Sequence, residues 1–241
     1  MSKHVHFISD LHLSKDRPET TQRFLAYLDS VDETVSDLYI LGDLFDVWVG
    51  DDDPTPPNVV VKEALNQLTT QGTHVHFLPG NRDFLIGEAF FNTTKVLCLE
   101  DESVIDLFGT NTLLMHGDLL CTDDVEYQQF RQLTHDPDWQ QEFLSKSLQD
   151  RLALAQHYRQ ESHLNKNKKS AEIMDVNETA VIETFKKHHV LRLIHGHTHR
   201  PHVHSNHVNG QVAERFVLAE WDTQGSILDW SESGYKVITL N

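Results

Sequence analysis

An α/β fold is predicted by three features of the sequence. Short runs rich in branched residues recur, segments of helical period separate them, and polar clusters, most beside a glycine, sit just past several runs. His4 to Ser9 is the first such run, a strand that stops at Asp10-Leu11-His12. From Pro18 to Val31, Phe24, Leu25, Leu28 and Val31 recur at helical spacing. Leu38 to Leu41 reads as a buried strand ending in Gly42-Asp43, and Val59 to Leu68 as a helix. His74 to Leu78 is a strand that runs into Pro79-Gly80-Asn81-Arg82-Asp83. Val104 to Phe108 and Thr112 to Met115 predict a hairpin around Gly109-Thr110-Asn111. From Val190 onward short strands and turn residues return, ending in Tyr235-Lys236-Val237-Ile238.

One stretch breaks the rhythm. Residues 124–170 carry almost no strand signal and no glycine, and Phe130, Leu133, Phe143, Leu144, Leu148 and Leu152 fall at helical intervals. The organisation read from this is one domain over 1–241 with a helical insertion at 124–170. From Leu144 to Lys169 the insertion holds six Lys or Arg against two acids. On charge alone that is a solvated helical face.

Composition narrows the function classes. The 241 residues, 39% hydrophobic and 24% charged, suit an ordinary globular protein with one good-sized core. No apolar run approaches the roughly 20 residues of a membrane span. The amino terminus, Met1-Ser2-Lys3-His4, lacks a signal peptide's apolar stretch, so a cytosolic protein is expected. Cys98 and Cys121 form no CxxC pair and are expected as reduced thiols. A net charge of −17 argues against non-specific binding to nucleic acid. The 17 histidines invite a metal hypothesis.

The chemistry-bearing clusters share one position, just past β-rich runs. They are Asp10-x-His12, Gly42-Asp43, Gly80-Asn81-Arg82-Asp83, His116-Gly117-Asp118 and Gly196-His197-Thr198-His199. In α/β sheets the carboxyl ends of strands are where ligands bind. Oxygen and imidazole donors without thiolate suit Mn²⁺, Fe²⁺, Zn²⁺ or a similar ion. Asp10, His12, Asp43, Asn81, His116, His197 and His199 are too many for one open ion but suit two, with Asp43 as a natural bridge. Two ions about 3.5–4 Å apart are the usual arrangement for displacement at phosphorus. Each cluster alone is weak; the set in this order is not.

These strings resemble the calcineurin-like metallophosphoesterases, whose five motifs occur here in order. Within that family the resemblance is to the branch that hydrolyses UDP-2,3-diacylglucosamine in lipid A biosynthesis, and it covers essentially the whole chain. It rests on Ser9 to Leu13, Ile40 to Phe45, Gly50 to Asp53, Gly80 to Phe84, Met115 to Asp118, Cys121 to Asp124, Ile173 to Asn177 and Ile194 to Pro201. It implies two sheets flanked by helices, two divalent ions, usually manganese, and the insertion as a substrate-binding cap. It implies that Asp10, His12, Asp43 and His199 hold one ion, and Asp43, Asn81, His116 and His197 the other. It implies catalytic roles for Asp43, Asn81 and Arg82, and substrate contacts from Asn81, Arg82, Asp124, Ser162, Lys166, Lys169 and His197. The implied reaction is attack of metal-activated water on the α phosphorus, giving UMP and 2,3-diacylglucosamine 1-phosphate (lipid X). A lipid substrate implies peripheral contact with the cytoplasmic face of the inner membrane, and the chain is expected to be a monomer.

Arg82 adds chemistry of its own. Many relatives have a histidine after the motif asparagine, able to protonate a leaving alkoxide, whereas an arginine releases no proton near neutral pH. Arg82 therefore favours a leaving group that needs none, such as a sugar phosphate, and its fork of donors suits phosphate oxygens. The residues alone leave open a phosphoesterase for another nucleotide, or a non-catalytic binding module, which no missing ligand supports. Asp83 and Asp118 are expected to orient ligand histidines. His195 reads either as a residue behind the ligands or as a plain strand residue, and Trp48 as core in preference to a residue facing the acyl pocket.

Overall fold

The alternation of side chains along the strands sets the architecture. In the computed structural model, which describes residues 3–166, 173 and 175–241 without the side chains of 161–166, the chain opens with β1 (His4–Ile8), α1 (Pro18–Ser30), β2 (Val35–Leu41), α2 (Asn58–Gln71) and β3 (His74–Leu78). Then come α3 (Glu88–Thr94), β4 (Leu97–Cys98), β5 (Glu102–Leu107) and β6 (Thr110–Met115). Helices α4 (Val125–Thr134), α5 (Pro137–Leu144) and α6 (Leu148–Lys166) follow, then α7 (Glu178–His188). Strands β7 (Arg192–His195), β8 (His202–Val208), β9 (Gln211–Val217), β10 (Gly225–Ser231) and β11 (Gly234–Leu240) complete the chain.

Among the described residues the strands form two sheets, ordered β11-β10-β1-β2-β3-β4 and β5-β6-β7-β9-β8. β1 to β4 are mutually parallel, as are β6, β7 and β9. Successive residues of a strand point to opposite faces, and β2 is apolar on both. In β2, Leu38 and Ile40 join a core with Phe24 and Leu28 of α1 and Val61 and Leu65 of α2. Its Tyr39 and Leu41 face the other way, into a core shared with Leu114, Ile194 and Phe216 of the second sheet. The second sheet repeats the scheme, with Leu113 and Leu193 packed on Val181 and Phe185 of α7. A side chain of this size is worth about 1.5–3 kcal/mol when fully buried. Two sheets packed face to face and covered outside by helices result.

Most predicted elements recur with boundaries shifted by a few residues. The hairpin turns on Phe108 and Gly109, both at positive φ, rather than around Thr110. This two-residue turn matches the twist of the strands it joins. Helix α3 has only seven residues, too few for a period to be visible in sequence. The region 124–170 contains α4, α5 and α6 and no strand among its described residues. Trp139, Leu148, Leu154 and Ala155 from these helices pack on the core under α1 and α2.

Candidate functional site

The predicted ligands follow β1, β2, β3, β6 and β7, and the fold gathers the loops after these strands into one place. The loops after β1 and β2 stay paired past the sheet, with Asp10 N donating to Gly42 O (3.1 Å) and His12 N to Asp43 O (2.9 Å). Asp10, His12, Asp43, His197 and His199 all sit at positive φ, between 49° and 67°. Such a conformation is costly for residues other than glycine and persists only where the surroundings enforce it. Close approach is the enforcing condition: a Cβ on Gly80 would overlap the Asp43 carboxylate, and one on Gly196 would overlap that of Asp10.

Two overlapping groups emerge. Asp10, His12 and His199 bring one ligand atom each within 4.8 Å of one another, as do Asp10, Asp43 and His116. Asp43 faces both sides, with Oδ1 3.7 Å from His116 Nε2 and Oδ2 3.8 Å from His12 Nδ1. Asn81 Oδ1 lies 3.0 Å from His116 Nε2 and 2.9 Å from His197 Nδ1. His12 and His199 turn their Nε2 atoms toward each other at 3.3 Å. Every ligand predicted from sequence is therefore in one cluster.

The cluster fits divalent cations on its own evidence. Asp10 Oδ1, which faces His199 Nε2 at 3.3 Å without a well-aligned hydrogen bond, and His12 Nδ1 are buried polar atoms that a cation would engage. Burial pushes the Asp43 carboxyl up to about 7, with Asp83 and Asp10 adding repulsion. Burial would also raise Asp10, but His199, His116 and His12 outweigh it and hold its carboxyl below the usual range. Burial lowers His12 to about 3 and His197 to about 4, which keeps both neutral, as ligands must be. Burial opposes protonation of His116 as well, yet the carboxylates of Asp43, Asp10 and Asp118 raise it to about 9. The carboxylates thus draw positive charge onto His116, and bound cations would supply that charge in its place.

Supporting groups fix the donors. His116 Nδ1 donates to Leu41 O (2.9 Å) and His199 Nδ1 to Glu220 Oε2 (2.7 Å), which leaves both Nε2 atoms for the cluster. Sequence reading missed Glu220, and nothing in its loop marks it. The expectation that Asp83 and Asp118 orient histidines is not met. Asp83 instead accepts from the backbone N–H groups of Gly80, Asp43 and Phe45, bracing two ligand loops. Asp118 accepts from Tyr127 Oη (2.6 Å) and Arg131 Nε (2.8 Å), tying α4 to the loop that carries His116. His195 ends β7, buried, and its Nδ1 serves Gly196 O.

A cavity of about 520 Å³ opens beside the cluster. Asn81, Arg82 and His197 line its polar end, while Phe84, Phe130 and Trp139 are among its aromatic walls. Trp48 is core, as predicted, and also shows an edge to this space. Asp124 lines the cavity and caps α4, accepting from Tyr127 N (3.0 Å). Tyr127, unremarked in sequence, lines the wall with its ring 5.9 Å from that of His197. The side chains of Ser162, Lys166 and Lys169 lie outside the described residues.

Comparison with known proteins agrees with this geometry. Residues 3–201 match the family model described as calcineurin-like phosphoesterase. A protein of Aromatoleum aromaticum named UDP-2,3-diacylglucosamine hydrolase is 47% identical over 231 residues, 96% of this chain and 94% of its own. Proteins of the same name are 45% identical in Stenotrophomonas maltophilia, over 98% of both chains, and 44% identical in Yersinia pseudotuberculosis, over 97% of this chain and 98% of the relative. A family model spanning most of the chain, and relatives this similar from end to end, make the chain a member of the calcineurin-like phosphoesterase family.

Proposed function

We propose that the chain hydrolyses the pyrophosphate bond of UDP-2,3-diacylglucosamine, giving UMP and 2,3-diacylglucosamine 1-phosphate in lipid A biosynthesis. The observation that carries this reading is the junction of two unlike surfaces. A polar cluster suited to cations meets a large aromatic cavity, and Asn81, Arg82 and His197 stand at the seam. A substrate with a pyrophosphate at one end and acyl chains at the other has that polarity.

In this reading Asp10, His12, Asp43 and His199 would hold one manganese ion and Asp43, Asn81, His116 and His197 another, and the ions would supply Lewis acidity and lower the pKa of bound water. The chain's own groups do the rest. Asp43, bridging, sets the spacing of the two halves of the cluster. Asn81 and Arg82 hold phosphate oxygens, Arg82 through a planar fork that also offsets charge gathering on the phosphoryl group. No side chain need protonate the departing sugar phosphate, so an arginine is no handicap where relatives keep a histidine. His197 faces substrate and cluster together, and Asp124 contacts the polar part of the substrate. The helices of 124–170 act as a cap, with Ser162, Lys166 and Lys169 completing the polar contacts.

The protein works as a monomer at the cytoplasmic face of the inner membrane, held there peripherally. No described helix is long and apolar enough to cross a membrane. The net charge of −17 opposes anionic headgroups overall, whereas the basic stretch of the cap favours them.

Purified protein incubated with Mn²⁺ and UDP-2,3-diacylglucosamine is expected to yield UMP and diacylglucosamine 1-phosphate by mass spectrometry, and Asp43→Ala to yield neither. An intact lipid nucleotide alongside cleavage of a generic phosphodiester would keep the cluster and discard the substrate. Inertness of folded, metal-loaded protein toward both would discard the reaction.

A further inference from the structure

A second cavity, of about 240 Å³, lies across Thr198 and Arg200 from the first, since both residues line both spaces. Its floor is Arg215. Pairing of β9 with β7 and β8 sets Leu193, Arg215 and His204 side by side across three strands, on the face that α7 covers. His202, two residues before His204, shares that face, and the two rings meet at 4.7 Å.

Arg215 is only 7% exposed, and a guanidinium stays charged at any ordinary pH. Buried arginines are almost always paired with a carboxylate. Among the described residues this one is not. Its hydrogen-bond partner is a ring nitrogen, His195 Nε2, at 3.0 Å. Its Nε is buried with no partner at all. Asp175 and Glu178 attract it only at a distance, with no carboxylate oxygen within 4.0 Å of it among the described residues. Asp175 is already committed, one oxygen to Arg200 and the other to the N–H of Val176. A second donor facing the same space, the Thr198 hydroxyl, is likewise buried without a partner.

The cavity is therefore walled by Arg215, Arg200, His202, His204 and Thr198, with one engaged acid, on a chain whose net charge is −17. An uncompensated buried cation and unmet donors call for an anion with several acceptor oxygens. We propose that this cavity is a second anion site, distinct from the metal cluster, which binds a phosphate group: inorganic phosphate or the phosphate of a nucleoside monophosphate. Only the nucleotide source rests on the function proposed above, because UMP would then be released one residue away, at His197 and His199. A phosphate held here would sit next to the site of reaction and retain product beside it.

Calorimetric titration of inorganic phosphate, UMP and uridine into the protein tests this, first with Mn²⁺ bound and then with the ions chelated. Phosphate bound at the cluster should vanish on chelation, and one phosphate per chain should remain. Arg215→Met should weaken that remaining binding at least about tenfold, and His204→Ala by several-fold. Arg215→Met also leaves buried His195 Nε2 without its donor, so its binding is read well below its own unfolding midpoint. Should that variant fail to fold, His204→Ala decides. UMP tighter than inorganic phosphate by about tenfold, with uridine silent, assigns the site to the nucleotide product; equal affinities assign it to free phosphate. Absence of binding after chelation, or unchanged binding in both variants, overturns the proposal. Phosphate binding that persists in a protein unable to cleave UDP-2,3-diacylglucosamine would sink the proposed reaction and leave this site standing.

Discussion

The cluster at the strand ends and the helices of 124–166 form opposite walls of one cavity, but they are built by different means. The cluster is buried and polar, on loops locked by backbone hydrogen bonds and held at positive φ. The helices rest on the core through part of their apolar residues and expose the others, with Val125, Leu133 and Leu144 each more than 40% accessible. Side chains tether them, Asp118 holding α4 through Tyr127 and Arg131, and Arg151 and Arg159 holding α6. Arg151 donates to Val49 O (2.6 Å) and to both oxygens of Asp52, and Arg159 pairs with Asp46. In the proposed reaction, groups that act on one phosphorus need fixed positions, whereas a wall that admits acyl chains must adjust. The fold thus spends its rigidity on one side of the cavity only.

The largest effect that can test this division is at Asp43. If the cluster is strained for function, removing its buried charge should abolish activity without weakening the fold. Asp43→Asn keeps the acceptor for the N–H of Arg82 (2.8 Å) and is expected to lower turnover by about 10³-fold or more. An acid whose folded pKa exceeds its unfolded value, near 3.9, costs stability as pH climbs from that value toward the folded one, here about 7. At pH 8 with chelator, Asp43→Asn should therefore unfold at a higher denaturant midpoint than the wild type. Mn²⁺ should reverse the order by stabilising only the wild type. A variant that unfolds earlier in chelator would show Asp43 to be part of the structural frame, and the comparison would fail.

Sequence carried the cluster much further than it carried the helices, for a physical reason. Asp10, His12, Asp43, Asn81, His116, His197 and His199 each follow a strand, and strand ends are legible from composition and period. That all seven meet followed from the parallel order of the strands, which motif order could suggest. What could not be read was how they are braced. Asp83 binds three backbone N–H groups through the fold, Glu220 approaches His199 from a loop past β9, and neither has a local pattern. Arg215 is the sharper case: its strand reads as ordinary, and only three-dimensional pairing shows that no carboxylate meets it. In the helices Phe130 and Leu133 fall at helical spacing, and both are among the exposed apolar residues. Helical period reports a face, but not what covers it.

A middle-sized effect is expected at Arg151. The residue is 4% exposed, while the Asp52 side chain it meets is 63% exposed, so solvent screens much of that ion pair. The bond to the Val49 carbonyl and the packing of the guanidinium should count for more. Arg151→Ala is expected to cost about 1–3 kcal/mol, felt locally rather than globally. Limited proteolysis within 125–166 should speed up about tenfold while the protease-resistant remainder keeps its core. Raised KM with little change in kcat would accompany it, since the strand-end cluster is untouched. Equal cleavage of variant and wild type would mean that α6 is held by contacts other than Arg151, and its role as a tether would have to go.

The smallest effect on stability, and the most telling about the adjustable wall, concerns Leu133. This side chain is 52% exposed on α4 and does not line the cavity, so neither the core nor a substrate chain inside that space accounts for it. Leu133→Ser should change stability by no more than about 0.5 kcal/mol, as surface substitutions do. If the helices meet a lipid surface, as the proposed substrate requires, the same change should lower the partition of the protein onto vesicles of anionic phospholipid by several-fold. A leucine moved from water into an interface gains on the order of 1 kcal/mol, enough for that difference. Val60, 42% exposed on α2 and far in sequence from the helical segment, supplies the control: Val60→Ser should leave partition unchanged. Equal losses at both positions would show generic surface adhesion, and no loss at either would place the exposed face of α4 in water. Only a loss confined to Leu133 makes the helical wall the side from which a lipid enters.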